Sequence, residues 1–285
     1  MTRSTPPLPR PSGRPAPTLA LALSLLLAGC QTPPPTLPEQ VGEFRANSGY
    51  LRGYLDRKAL PDSLALLPPP PADGSPARAA DLARHQATRA LKDTPRWQQA
   101  ARDANLKWPA AADTLACAMG LTISQQATPH LNMLLRRSLL DAGLATYGAK
   151  DRYQRQRPFA ALDEATCTPA EEASLRKDGS YPSGHAALGW AWALVLTQVS
   201  PERGNALLAR GLAFGDSRVV CGVHWQSDVE AGRVIGAAAV ARLQSDALFQ
   251  AQLAAARTEV EAARAAGAQP PAHCAAEAAA LAAGR

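Results

Sequence analysis

Three polar stretches interrupt an Ala- and Leu-rich chain: KDRYQRQRP from Lys150, GSYPSGH ending at His185, and SRVVCGVHWQSD from Ser217 to Asp228. Lys150, Arg157 and Arg218 are cations suited to a group whose negative charge is spread over three equatorial oxygens, which is the demand of phosphoryl transfer. His224 and Asp228 stand four apart. If that segment is helical they share a face, and the carboxylate can hold one ring nitrogen while the other attacks phosphorus. His185 is then free to protonate the leaving oxygen. Ser183 and Gly184 precede an apolar run, AALGWAWALVL, so Ser183 reads as an N-cap, and the free amides of a helix start form an anion site to which glycine allows close approach.

The spacing of these blocks carries a resemblance. A lysine, six residues and Arg157-Pro158; then Pro182-Ser183-Gly184-His185; then Ser217-Arg218, five residues, His224, three residues and Asp228 is a pattern similar to that of the type 2 phosphatidic acid phosphatase superfamily, which also holds vanadium haloperoxidases. The wider wording KDRYQRQRPF, GSYPSGH and GDSRVVCGVHWQSD, with PDSLALLPPPP around Asp62, resembles the bacterial class A non-specific acid phosphatases from about Gly49 to Ala255. The resemblance implies hydrolysis of a broad range of phosphomonoesters through a phosphohistidine, with no metal or other cofactor. It assigns His224, His185 and Asp228 to catalysis, and Lys150, Arg157, Ser183, Gly184 and Arg218 to phosphate binding. An acidic optimum is expected, because His185 has to be protonated while His224 is nucleophilic. A haloperoxidase, a lipid phosphatase using the same site, or a catalytically silent lipoprotein are the rival readings.

These side chains need a scaffold, and the pattern between Pro76 and Ala265 is almost wholly helical. Expected helices cover 77–93, 96–105, 111–119, 129–147, 170–178, 184–199, 201–214 and 227 to about 265, with no run alternating as a strand would. The expectation is an all-α, single compact helical bundle. Leu131, Leu134, Leu135, Leu139 and Ala142 mark a buried face that delivers Lys150 to the site. Pro158 disfavours a helical Arg157, placing it on a turn. Gly232 and Gly236 suggest close helix contact. Arg152 and Arg155 read as solvated or salt-bridged, and His85, His130 and His273 as structural or exposed.

The ends divide from this core. Residues 1–29 carry Arg3, Arg10 and Arg14 before a short apolar run and read as a secretory signal. Leu27-Ala28-Gly29-Cys30 resembles a lipobox, which implies cleavage before Cys30, its lipidation, and periplasmic placement with an outer-membrane anchor. Residues 30–48, with four prolines between Gln31 and Glu39, read as an extended tether; 49–266 form the phosphatase domain; 267–285 form an Ala-rich tail. Export suits disulfides, and the four cysteines left after Cys30 allow three pairings. Nearness to the polar blocks favours Cys167 with Cys221, leaving Cys117 for Cys274. No cysteine or histidine spacing favours a metal.

The formal charge of +6 falls to +3 once residues 1–29, with three arginines and no acid, are removed. Several of those charges belong to the polar blocks, and no basic run interleaves with aromatics. The balance therefore points to small anionic substrates and away from nucleic acid. Small-residue helix faces permit a homodimer. Apart from the lipid expected at Cys30, nothing in the sequence ties the chain to a membrane.

Overall fold

A computed structural model describes residues 33–284, together with residues 1, 2, 4 and 5. Cys30 and the leader lie outside the described residues. The longer helices are α1 (Pro76–Arg89), α2 (Pro95–Ala104), α3 (Pro129–Leu144), α4 (Tyr147–Tyr153), α5 (Gly184–Val199), α6 (Gly204–Val220), α7 (Gln226–Leu243), α8 (Ala247–Ala265) and α9 (Cys274–Ala282). An isolated β-bridge pairs Glu43 with Leu51, and no strand occurs among the described residues. The all-α class expected from the pattern holds.

Helix α5 is the axis of the bundle because it is apolar on nearly every side, as a helix surrounded by others must be. Ser183 caps it, its Oγ accepting from the amide of Ala186 at 3.3 Å. Its neighbours approach closely through missing side chains. A Cβ at Gly236 of α7 would collide with the carbonyl oxygen of Ala187, and one at Gly232 with that of Ser183. A Cβ at Gly189 would strike the Phe214 ring of α6. Trp192 is fully buried and donates Nε1–H to the Leu135 carbonyl at 3.0 Å, tying α5 to α3.

Several boundaries differ from the pattern reading, each for a local reason. The expected helix over 111–119 is 3₁₀ from Ala110 to Leu115 and α only from Ala116 to Met119. The one over 170–178 shrinks to Pro169–Glu171 and Glu172–Leu175, where the carbonyls of Leu175 and Asp178 turn to Arg157. Helix α6 runs six residues past Phe214 and carries Arg218 in its last turn. The long segment after Ser227 breaks into α7 and α8 at Asp246, whose carboxylate accepts from the amide of Phe249 at 2.7 Å and so caps α8.

Both ends of the described chain pack. Gln125 donates to the Thr36 carbonyl at 2.7 Å, and the Asp141 carboxylate accepts from the amides of Tyr54 and Leu55 at 2.9 and 3.1 Å. From Pro33 onward the arm is therefore part of the domain's compact unit, where an extended tether was expected. The Ala-rich tail forms α9, fastened by the Cys117–Cys274 disulfide and by the buried pair of Glu277 with Arg210, 3.2 Å apart. The second disulfide is Cys167–Cys221. Both are the pairings favoured by nearness to the polar blocks.

Candidate active site

The three polar blocks meet at a cavity of about 430 Å³, lined at its base by Lys150, Arg157, Gly184, His185, Arg218 and His224. Each side chain arrives from the end of an element. Lys150 lies in α4, and Arg157 stands in extended backbone (φ −73°, ψ 152°) as the N-cap of a short helix, Pro158–Leu162, where its proline neighbour allows no helical conformation. Gly184 and His185 form the first turn of α5, whose leading amides have no acceptor within the helix. Arg218 closes α6 and His224 follows it on a turn.

The expected shared helical face for His224 and Asp228 is not formed. Helix α7 starts at Gln226, so His224 precedes it and Asp228 sits in its first turn. The pair meets all the same, His224 Nδ1 lying 3.4 Å from Asp228 Oδ2. What holds the carboxylate is a ring of donors: the Trp225 amide at 2.8 Å and the Ser180 hydroxyl on Oδ2, and Arg155 Nη1 at 2.6 Å on Oδ1. Arg155 is in turn held by Asp81 at 2.7 Å, and Asp81 also accepts from the amide and hydroxyl of Ser227.

On the other side of the ring, Arg157 Nη1 lies 2.9 Å from His224 Nε2. Arg157 is fixed by further donations, from Nε to the carbonyls of Leu175 and Asp178 and from Nη1 to that of Val223. Lys150 Nζ is bound to the Gly179 carbonyl and, at 3.1 Å, to Asp178 Oδ2. Arg218 contrasts with both. It is buried, yet its Nε and Nη1 have no partner among the described residues, a costly state unless an anion completes it.

Burial and the clustered cations shape the ionisation. Desolvation, aided by Arg157, Lys150 and Arg218, holds His224 well below the usual histidine range. Desolvation and then Arg218 do the same for His185, whose Nε2 donates to the Ala104 carbonyl at 3.0 Å, leaving Nδ1 to gain or lose the proton. Lys150 is lowered to about 8, by burial first and by Arg157 second. Burial brings Arg218 down to about 10.

Ser183 is the N-cap that the sequence suggests, and its side chain does not line the cavity. It is wholly buried behind Gly184, its amide donating to the Asp228 carbonyl at 2.9 Å and its Oγ capping α5. Sequence reasoning left out Asp178, Ser180 and Asp81, and read Arg155 only as solvated or salt-bridged, where it pairs with Asp81 and Asp228. Asp178 immediately precedes the second block and Ser180 lies within it, whereas Asp81 comes from α1 with no motif to mark it. The arm residues Phe44, Arg45 and Tyr50, with Tyr147, form the cavity's outer wall. The other histidines lie elsewhere: His85 pairs with Glu164 at 2.8 Å, His130 bonds Gln252, and His273 starts the tail helix. His273 lies against Cys117 and Cys274, whose sulfurs are joined to each other and not free as ligands.

Comparison with known proteins agrees with this geometry. The family model of the PAP2 superfamily matches residues 131–248, a span holding all three blocks. The non-specific acid phosphatase of Providencia stuartii is 47% identical over 207 residues, 72% of this chain and 84% of the relative. That of Salmonella typhi is 46% identical, covering 68% and 78%. The acid phosphatase of Zymomonas mobilis is 41% identical, covering 71% and 77%. With the cationic pocket and its two histidines carried on the matched span, the chain belongs to the PAP2 superfamily, in its branch of bacterial non-specific acid phosphatases.

Proposed function

We propose that this phosphatase hydrolyses phosphomonoesters in two steps through a phosphohistidine at His224, without a metal ion. Lys150, Arg157, Arg218 and the leading amides of α5 hold the phosphoryl oxygens. The lone pair of His224 Nε2 attacks phosphorus in line, the bond to the ester oxygen breaks, and His185 gives that oxygen its Nδ1 proton. Water then loses a proton to His185 and attacks phosphorus, releasing phosphate and restoring His224. Asp228 stabilises the cationic ring while it is phosphorylated.

The observation that carries the reading is Arg218, a buried cation with two unpartnered N–H groups beside a nucleophile and an acid. The cations that depress both histidines are offset by a bound dianion. In the complex His185 therefore regains a proton at mildly acidic pH, which is the reason for expecting an acidic optimum.

The test is turnover of p-nitrophenyl phosphate by the exported chain with EDTA present, beside His224→Ala and His185→Ala. Activity that survives chelation and is lost in His224→Ala supports the scheme. Rapid quenching at alkaline pH, where phosphohistidine is stable, should trap labelled protein in His185→Ala, since its second step lacks a base. Full activity of His224→Ala would sink the assignment.

Export and anchoring belong to the same proposal. The basic start, the apolar run and Leu27-Ala28-Gly29-Cys30 support lipid attachment at Cys30 and an outer-membrane periplasmic location. Among the described residues no helix is long and apolar enough to cross a membrane. Labelled palmitate incorporated by the wild type and not by Cys30→Ser tests the anchor. The glycine face of α7 is consumed against α5, so a homodimer has to use another surface, and sedimentation of the exported domain reads it.

A further inference from the structure

One charged side chain at the base of the cavity has no part in this scheme. Asp178 Oδ2 lies 3.1 Å from Lys150 Nζ and 2.8 Å from Arg157 Nη2, taking N–H directions that a phosphoryl oxygen would take. Its setting differs from that of Asp228. The Asp228 side chain is wholly buried and gripped by donors from several elements, whereas that of Asp178 is 35% exposed, faces the cavity, and is held among the described residues by those two cations alone.

The cations do not depend on it. Lys150 keeps its bond to the Gly179 carbonyl, and Arg157 keeps its bonds to Leu175, Val223 and the main-chain carbonyl of Asp178 itself. Rotation of the Asp178 side chain toward the cavity mouth would therefore vacate two donor positions without disturbing the groups that carry them.

We propose that Asp178 is an internal counter-ion that competes with the phosphoryl group for Lys150 and Arg157, leaving them when substrate binds and returning to speed the release of phosphate. The inference rests on the reading of this cavity as the phosphate site. Its physical content is that a carboxylate beside a bound dianion costs affinity through like-charge repulsion, while in the empty site it offsets the mutual repulsion of buried cations. Three buried cations alone would hold phosphate tightly, and a product held tightly limits turnover.

The experiment is calorimetric titration of inorganic phosphate into the full exported chain, for wild type, Asp178→Asn and Asp178→Glu, with steady-state kinetics on the same proteins. Asp178→Asn keeps an oxygen acceptor for Arg157 and removes only the charge. It should bind phosphate about tenfold or more tightly, with kcat and KM both lowered because product leaves slowly. Asp178→Glu should stay near wild type. Phosphate affinity that is unchanged or weaker in a normally melting Asp178→Asn protein overturns the proposal; where that protein fails to fold, Asp178→Ser takes its place with the same criterion. A wild type that binds no phosphate overturns the phosphate-site reading instead, a separate result because the titration involves no bond cleavage.

Discussion

Arg157 Nη1 stands 2.9 Å from Nε2 of His224. A guanidinium carries five donors and no acceptor, so this contact makes Nε2 the acceptor and puts the ring hydrogen on Nδ1, toward Asp228 and Ser180. One arginine thereby selects the tautomer with the lone pair on Nε2, and it adds to burial, the larger cause, in holding the ring's pKa down.

Because Arg157 is proposed both to orient the nucleophile and to bind substrate, Arg157→Lys is expected to behave as a severe change. A lysine supplies the charge without the planar fork. Loss of kcat/KM by about 10²-fold or more is expected, by analogy with removal of one transition-state donor. Steady-state kinetics on p-nitrophenyl phosphate checks this, and a loss below tenfold would contradict the double role.

In the proposed scheme Lys150 sets the alkaline limit of anion binding. Its folded pKa is lowered to about 8, so the ammonium is lost as pH rises through that value and the site forfeits one of its cations. Inorganic phosphate remains a dianion from about pH 7.5 to about 9.5, so its inhibition constant over that range isolates the lysine. The constant should rise with an inflection near 8 in wild type. In Lys150→Arg, whose charge persists, it should stay flat.

Arg155 acts through Asp228. Its side chain is 9% exposed and joins Asp228 and Asp81, so Arg155→Met strands two buried carboxylates. Breaking such a pair typically costs about 3–5 kcal/mol. Urea unfolding should show that loss, and kcat should fall far more than KM changes, because the residue touches no substrate oxygen. A purely structural role predicts lost stability with unchanged kcat in the folded fraction.

The disulfide that fastens the tail separates stability from activity. The Cys117–Cys274 disulfide spans 157 residues and is remote from the cavity lining. Replacing both cysteines with alanine should cost about 2–5 kcal/mol, as removal of native disulfides typically does, and leave KM near wild type. Denaturant unfolding and kinetics on the same variant decide it.

Gly232→Ala should cost both. Its added methyl meets the Ser183 carbonyl at the start of α5, and overpacking of this kind costs about 1–3 kcal/mol. Since Gly184 and His185 follow at once, activity should drop with stability. Gly236→Ala, one turn further from the site and against Ala187, should lower stability with a smaller effect on kcat.

Residue types and spacing by themselves determined the all-α class, the Ser183-capped start of α5 and the set of cations and histidines that meet at the cavity, because fixed charges, an N-cap and a proline act locally and leave a mark in the chain. The turn at Arg157 was legible for the same reason: the ring of Pro158 excludes the helical alternative. Tertiary structure alone decided the rest. His224 and Asp228 meet through a turn and not along a helix, since the grip on Asp228 comes from Ser180, Arg155 and Trp225, and Arg155 is itself held by Asp81 from a helix more than seventy residues earlier in the chain. Asp178, the last residue of the helix expected over 170–178, carried no mark of the site until folding set it between Lys150 and Arg157. The arm and the Ala-rich tail show no periodic pattern that announces their packing, and beside buried Leu51 and Ala280 they dock through hydrogen bonds, an ion pair and a disulfide whose partners are distant in sequence. Interactions between distant segments have no period or spacing to read, and in this chain they are what turn a collection of cations into an ordered site.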